Sequence, residues 1–394
     1  MKVLLLNSSF YPVVGGIEIC IANVARNLTA QGHDVSLFTC RSSLAIQERL
    51  DFSVIGYWPG TSRLLNASPV LGRKYLEFQA RKLSAMNFDI WHVFMLYPFG
   101  WAFADYIRRN SIPSLVSARG ADIQVIPDIG YGMRLDPKLE PLIRHAAASY
   151  PAVTCLTDTV KEDLLSIGVQ PERIRLIPNG VDYQRFQIAE DKAVLRKRLG
   201  LPETAYILLS VGRNHPKKNF KALADITARL IPDIPEIHCC LVGDGVQTLQ
   251  HSIDRQELSS RFTLSDGISP VSGNLYETPA RKLIEYYCAA DCFLFPSMAE
   301  TFGMVLIEAM AAGLPIVCAD SPGCRDVVRN GVTGLLYPPS DNSKACDNVL
   351  DVYRDSRQRT DLVRNARAEA ERLDWSNVST MYLDVYREIY EQTK

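Results

Sequence analysis

The chain has 394 residues, of which 47% are apolar and 22% charged, and its formal net charge is −1. That length exceeds one ordinary hydrophobic core and makes a two-domain α/β protein the expectation. The near-neutral balance excludes a broad electrostatic footprint for nucleic acid or for a strongly anionic membrane.

Ten cysteines are scattered, without a Cys-x-x-Cys pair and mostly in apolar runs. Buried reduced thiols in a reducing, cytoplasmic compartment fit better than disulfides or zinc ligands. Met1–Asn7 is too short an apolar run for a signal peptide. No segment approaches the roughly 18 uninterrupted apolar residues that span a bilayer, so membrane contact is expected to be at most peripheral, at its inner face.

Lys2–Leu6 reads as a strand, and the loop Asn7 to Glu18 follows it. Ile17, Cys20, Ile21, Val24, Ala25 and Leu28 then recur at helical spacing up to Gly32. The Gly15-Gly16 pair before this helix lets a phosphate approach the backbone closely, or is a simple turn. It is not the Gly-x-Gly-x-x-Gly of a dinucleotide-binding fold, which argues against an NAD enzyme. Asp34–Thr39, a run from Ile90 to Val93, Pro113–Ala118, Ala152–Leu156 and Ile174–Ile177 read as further strands. His33 and His92 are taken as structural. A helix is predicted from Asp158, as N-cap, to Ile167. After the Pro113–Ala118 strand comes Arg119-Gly-Ala-Asp122, where Arg119 either holds a phosphate or carboxylate bidentately or pairs with Asp122 or a neighbouring acid. Pro178-Asn-Gly180-Val-Asp182 is a tight reversal, and Gln184–Lys192 is the polar linker.

A second α/β series begins with the strand Ala205–Val211, opening onto Gly212-Arg213-Asn-His-Pro216-Lys-Lys218 and a helix ending near Leu230. Arg213 and Lys218 place two cations at a strand's carboxyl end. His238–Val242 is the next strand and runs into Gly243-Asp-Gly245. The buried run Cys292–Phe295 leads into a loop carrying Glu300, and a helix from about Gly303 to Gly313 carries Glu308. Strand ends of open α/β sheets bind ligands, and a helix start offers unpaired N–H groups and roughly half a positive charge to an anion. Two carboxylates beside such a helix start suit a ligand with both phosphate and hydroxyls. The alternative is a helix-capping Glu300 and a solvent-facing Glu308. Ile316–Ala319 leads into Ser321-Pro-Gly323, a long helical region runs from Ser343 to Leu373, and Trp375 precedes a last periodic helix as a packing anchor.

The setting of the two carboxylates, P-S-x-x-E-x-F-G-x-V-x-x-E-A-M-A-x-G-x-P, closely resembles the donor-site signature of retaining GT-B glycosyltransferases, in particular glycosyltransferase family 4. Pro12-Val-Val-Gly15-Gly16-Ile-Glu18, the Arg213 and Lys218 pair, Gly243-Asp-Gly245, Pro178–Asp182 and Gly331–Pro339 resemble other segments of that family. The resemblance implies two Rossmann-like domains facing a central cleft, with the last helix crossing back to the first. Residues 1–185, completed by 376–394, would bind the acceptor, and residues 186–375 the nucleotide sugar. It implies catalytic roles for Glu300, Arg213, Lys218, Asp122 and Arg119. It implies donor contacts from Gly15, Gly16, Arg213, Lys218, Glu300, Thr301, Phe302, Gly303, Met304, Val305 and Glu308, with Glu308 on the ribose. Arg119 stands where the family often has a histidine, which hints at a charged donor sugar or acceptor.

The expected reaction is retaining transfer from a nucleotide sugar, a UDP-sugar first and a GDP-sugar second, to a hydroxyl of a glycan, lipid-linked glycan or small molecule. Donor choice is assigned to loops such as Arg213–Lys218 and Asp266–Glu277. The chain has no Asp-x-Asp, so catalysis without metal is expected, and no cofactor is implied beyond the co-substrate. Two other classes share this outline. An epimerase of nucleotide sugars would turn over without acceptor, and a non-catalytic binder would neither transfer nor hydrolyse its ligand.

Overall fold

The computed structural model describes residues 1–13, 15–267 and 277–393. The chain divides into two compact units, one running from Met1 to Asn179 and completed by the C-terminal segment from Trp375, the other running from Gly180 to Asp374.

The first unit is a seven-stranded, wholly parallel sheet. Its strands are β1 (Lys2–Leu6), β2 (Asp34–Cys40), β3 (Ser53–Tyr57), β4 (Ile90–Phe94), β5 (Ser114–Ser117), β6 (Ala152–Cys155) and β7 (Ile174–Leu176), in the order β3-β2-β1-β4-β5-β6-β7. Val3 to Leu6 are fully buried, which is why β1 reads as an uninterrupted apolar run: a parallel sheet is covered on both faces. β1 sits at the reversal of strand order, with Leu4 registered on Ser36 of β2 and on Trp91 of β4.

The second unit repeats the plan with six strands: β8 (Tyr206–Val211), β9 (Ile237–Val242), β10 (Phe262–Ser265), β11 (Cys292–Phe295), β12 (Ile316–Ala319) and β13 (Leu335–Tyr337). Their order is β10-β9-β8-β11-β12-β13, again parallel. Connections leave β8 and β11 in opposite directions, so the loops at their carboxyl ends part and leave a crevice.

The helix after β6 spans Asp158–Ser166, but its N-cap is Thr157, whose side chain accepts from the Val160 amide, and not Asp158. A hydroxyl one residue earlier already satisfies that amide, and Asp158 becomes a first-turn acid favourable to the helix dipole. The region from Ser343 to Leu373 is two helices, Asn342–Arg354 and Ser356–Arg372, separated by Asp355, which caps the second. The last helix, Trp375–Thr393, packs on the first unit, where Tyr386 Oη meets His92 Nδ1 at 2.7 Å. The other His92 nitrogen meets Ser117 Oγ at 2.7 Å, and burial holds the imidazole well below its ordinary pKa. His92 is therefore a satisfied structural histidine, and Trp375 is buried as an anchor. All ten cysteines are free thiols.

Candidate functional site

The second unit's crevice is built by three strand-end loops that hydrogen-bond to one another. The Met298 amide donates to Lys217 O at 2.7 Å and Ser297 Oγ lies 3.1 Å from the same carbonyl, tying the β11 loop to the β8 loop. Ser321 Oγ donates to Ser297 O at 2.7 Å and the Glu300 amide donates to Pro322 O at 2.8 Å, tying both to the β12 loop. The β12 loop can pass this close because Gly323 has φ +78°, and a Cβ there would lie 2.2 Å from Glu300 O. Only glycine fits that position.

Within this frame Lys218 Nζ donates to Glu300 Oε1 at 2.5 Å, and Ser297 Oγ donates to the same oxygen at 2.7 Å. Lys218 also lies 4.9 Å from the centre of the Phe295 ring. Both side chains are nearly buried, at 13% and 7% exposure. Burial alone would raise the Glu300 carboxyl, but the charges of Lys218 and Lys217, with the hydrogen bonds from Lys218 and Ser297, hold it below the usual carboxylate range. Glu300 is thus an anion at neutral pH. Arg213 is its opposite, 72% exposed, with Asp244 at 4.0 Å as its partner. A cation so placed is available to an arriving phosphate.

The helix Met304–Ala312 begins beside this pair. Its N-cap, Gly303, is left-handed (φ +82°, ψ +63°) and provides no side-chain cap, so the first amides, those of Met304 and Val305, head the helix with its positive dipole end. Thr301 is half-buried and Phe302 buried between Glu300 and that helix start. Glu308, four residues in, is buried and accepts from Tyr287 Oη at 2.7 Å. Burial pushes its carboxyl up to about 7, against the pull of Tyr287 and Arg185. The helix ends at Gly313, also left-handed, as its sequence predicts. Neither Glu300 nor Glu308 is a solvent-facing acid.

In the first unit the loop after β1 carries Gly15 and Gly16. Gly15 is extended, and a Cβ on it would come within 2.8 Å of Glu18 Oε2, whose carboxylate also accepts from Ser9 Oγ at 2.7 Å. Gly16 has open space on the side where its Cβ would stand.

Asp122 and Arg119, also of the first unit, are both buried. Asp122 is fully buried and accepts from the amides of Leu96 (2.8 Å), Arg119 (3.0 Å) and Gly120 (2.8 Å). Its carboxylate is consumed in holding that loop, and burial raises its pKa despite those bonds. Those three bonds make it the residue that positions the loop. Among the described residues the Arg119 guanidinium makes no ion pair with Asp122, and its Nη2 is buried without a hydrogen-bond partner. It is buried over the Phe94 ring at 5.4 Å, with Nη1 donating to Tyr382 Oη at 3.4 Å. The strand-end geometry turns this side chain into the interior of the first unit.

Sequence reasoning passed over Ser297, Lys217, Tyr287 and Gly323. Ser297 lies three residues before Glu300, the spacing that lets its hydroxyl reach that carboxylate, so a signal was there. Tyr287 and Gly323 come from other elements and carried none. Residues 268–276 of the Asp266–Glu277 loop, expected to help choose the donor, lie outside the described residues. Among the described residues, no group of three or more His, Cys, Asp or Glu stands where it could hold a metal ion. No helix among them is long and apolar enough to cross a membrane.

The sequence matches two family models, "Glycosyltransferase Family 4" over residues 14–185 and "Glycosyl transferases group 1" over residues 191–369. A curated D-inositol 3-phosphate glycosyltransferase of Thermobispora bispora is 32% identical over 398 residues, covering 96% of this chain and 91% of that protein. The protein of the same name from Geodermatophilus obscurus is 27% identical, covering 96% and 86%. Among solved structures, Anabaena HepE in complex with UDP superposes with a TM-score of 0.79 at 20% identity, covering 98% of this chain and all of that one. The sucrose-phosphate synthase of Thermosynechococcus elongatus gives 0.77 at 21% identity, covering 99% of each.

Proposed function

Because this chain belongs to the GT-B glycosyltransferases of group 1 and family 4, we propose that it is a retaining, metal-independent transferase. Its donor is a UDP-sugar and its acceptor a hydroxyl. The observation that carries this reading is the Lys218–Glu300 pair, set at 2.5 Å beside an uncapped helix start and an exposed Arg213. Breaking the bond from the sugar's anomeric carbon to the diphosphate leaves negative charge on the nucleotide. Fixed cations and helix amides stabilise charge that develops only then, which accelerates the step rather than merely tightening binding.

In this reading Arg213, Lys218 and the amides of Gly303 to Val305 hold the diphosphate, and Glu300 accepts from hydroxyls of the sugar. Glu308 accepts from the ribose hydroxyls, exchanging its bond from Tyr287 Oη for them. The acceptor oxygen bonds to the anomeric carbon on the face the diphosphate leaves, and its proton passes to a diphosphate oxygen. The anomeric configuration is therefore kept without an enzyme nucleophile. No cofactor takes part.

HepE was crystallised with UDP and with UDP-glucose, which supports uracil as the base. The curated relatives are named for an inositol phosphate, which makes a phosphorylated polyol the first acceptor class to test. The experiment is incubation with UDP-hexoses and such acceptors in EDTA, with the product's anomeric configuration read by NMR. Retained linkage in EDTA supports the reading. Inverted linkage contradicts it, and so does sugar conversion in the absence of acceptor, which is the mark of an epimerase.

A further inference from the structure

A cavity of about 740 Å³ opens at the amino ends of β8, β11 and β12, the opposite edge of the second sheet from Glu300 and Lys218. Tyr206, Leu314 and Pro315 line it from the sheet, and the helix Ser356–Arg372 lines it with Arg359, Val363, Arg364 and Arg367. At 3.6 residues per turn those four positions fall within a sector of roughly 140° on one side of the helix. The volume is that of a small-molecule site.

The charge there is one-sided. Lys192, Arg359, Arg364 and Arg367 face a single lining carboxylate, Asp291, leaving the lining at +3. Asp291 is already shared by Lys192, by Arg196 and by the Ile207 amide. Among the described residues no carboxylate pairs with Arg359 or Arg367. Arg359 donates to the carbonyls of Val352 (2.7 Å) and Tyr353 (3.1 Å), and Arg367 reaches Ala312 O at 3.4 Å. Arg364 has Asp361 at 2.8 Å, an exposed pair of adjacent turns, which is worth little. The Tyr206 hydroxyl is buried without a hydrogen-bonding oxygen or nitrogen, its neighbour being the Cys292 thiol. Arginines gathered in a concave, partly aromatic site, two of the three with no acid partner among the described residues, match the bidentate chemistry of phosphate.

We propose that this cavity binds a small phosphorylated molecule carrying at least two negative charges. Its phosphates lie on Arg359, Arg364 and Arg367, and its apolar body packs on Tyr353, Leu314 and Pro315. The site is distinct from the donor site: the helix Met304–Ala312 starts beside Glu300 and ends at Gly313, which lines the cavity. Nine residues at about 1.5 Å each put the two ends roughly 14 Å apart. Arg367 stands over that helix end, since a Cβ on Gly313 would lie 2.3 Å from its Nε.

The test is calorimetric titration of inorganic pyrophosphate into the full chain carrying Lys218→Gln, which weakens the donor site and leaves the cavity intact. Saturable binding is expected to persist. Adding Arg359→Gln with Arg367→Gln is expected to weaken it about tenfold or more. Thr360→Glu, at an exposed position of the same helix, adds an acid without removing any arginine and is expected to weaken binding likewise, with the helix content unchanged by circular dichroism. Absence of saturable binding to the Lys218→Gln chain overturns the proposal. So does undiminished binding in the arginine pair variant and in Thr360→Glu.

Discussion

Lys218 Nζ lies 2.5 Å from Glu300 Oε1, joining the loop at the end of β8 to the loop at the end of β11 at the point where strand order reverses. Each partner is buried enough that neither is comfortable alone. Lys218→Met and Glu300→Gln are each expected to lower thermal stability, and the double variant to lose less than their sum, with a coupling of about 0.5–3 kcal/mol in a double-mutant cycle. The folded Glu300 pKa is depressed, so the stabilisation is complete above the ordinary carboxyl range and is lost as pH falls through the folded value. Transferase activity in either single variant is expected to fall about 10²–10³-fold, the cost of removing one preorganised charge. Additive stability losses together with full activity would contradict the pairing.

Glu308 gives a pH dependence of the other sign. Its folded pKa is raised to about 7, so ionising it costs stability as pH rises from the ordinary carboxyl range toward 7. Glu308→Gln is expected to unfold at a higher temperature than the parent above about pH 7 and to match it near the ordinary carboxyl pKa. Nucleotide affinity of the parent is expected to rise through pH 7, as the carboxylate that accepts from ribose forms, and the Gln variant to lose that rise.

Two glycines differ in whether a side chain would fit: Gly323 has no room for a Cβ, and Gly16 has open space. Gly323→Ala drives a Cβ onto Glu300 O at a left-handed φ, so it is expected to lower both stability and activity. Gly16→Ala meets nothing within 4 Å and starts a helix, so it is expected to leave the free protein unchanged or stabilise it by about 0.4–1 kcal/mol. If the Gly15-Gly16 turn serves donor binding, the same variant weakens UDP-sugar affinity. A neutral result in both assays removes Gly16 from the site.

Asp163 titrates for structural reasons alone. Burial raises its carboxyl to about 6, Glu162 adds to the shift and Arg134 opposes it. Stability is therefore lost as pH rises from the ordinary carboxyl range through 6. Asp163→Asn is expected to raise the unfolding temperature at about pH 8, with the gain vanishing toward pH 4 and activity unchanged.

Much of this was readable from local pattern. The strands β1 and β11 are unbroken apolar runs because both faces of a parallel sheet are covered, and Gly313 ends its helix in the left-handed conformation expected of it. Glu300 and Glu308 were found by spacing within one strand–loop–helix unit. Long-range pairing was not legible. The Pro322 carbonyl that fixes the Glu300 amide and the Tyr287 hydroxyl on Glu308 come from separate elements. The surroundings of Arg119 were hidden for the same reason. Its sequence neighbours Gly120 and Asp122 suggested a ligand or an ion pair, whereas its side chain is claimed by Tyr382, 263 residues further on.

The most direct measurement is calorimetric binding of UDP, GDP and ADP to the parent and to Lys218→Gln, each with and without EDTA. UDP is expected to bind most tightly, EDTA to change nothing, and Lys218→Gln to weaken UDP at least about tenfold. Binding abolished by EDTA, or UDP bound equally well by Lys218→Gln, would contradict a metal-independent donor site organised around Lys218 and Glu300.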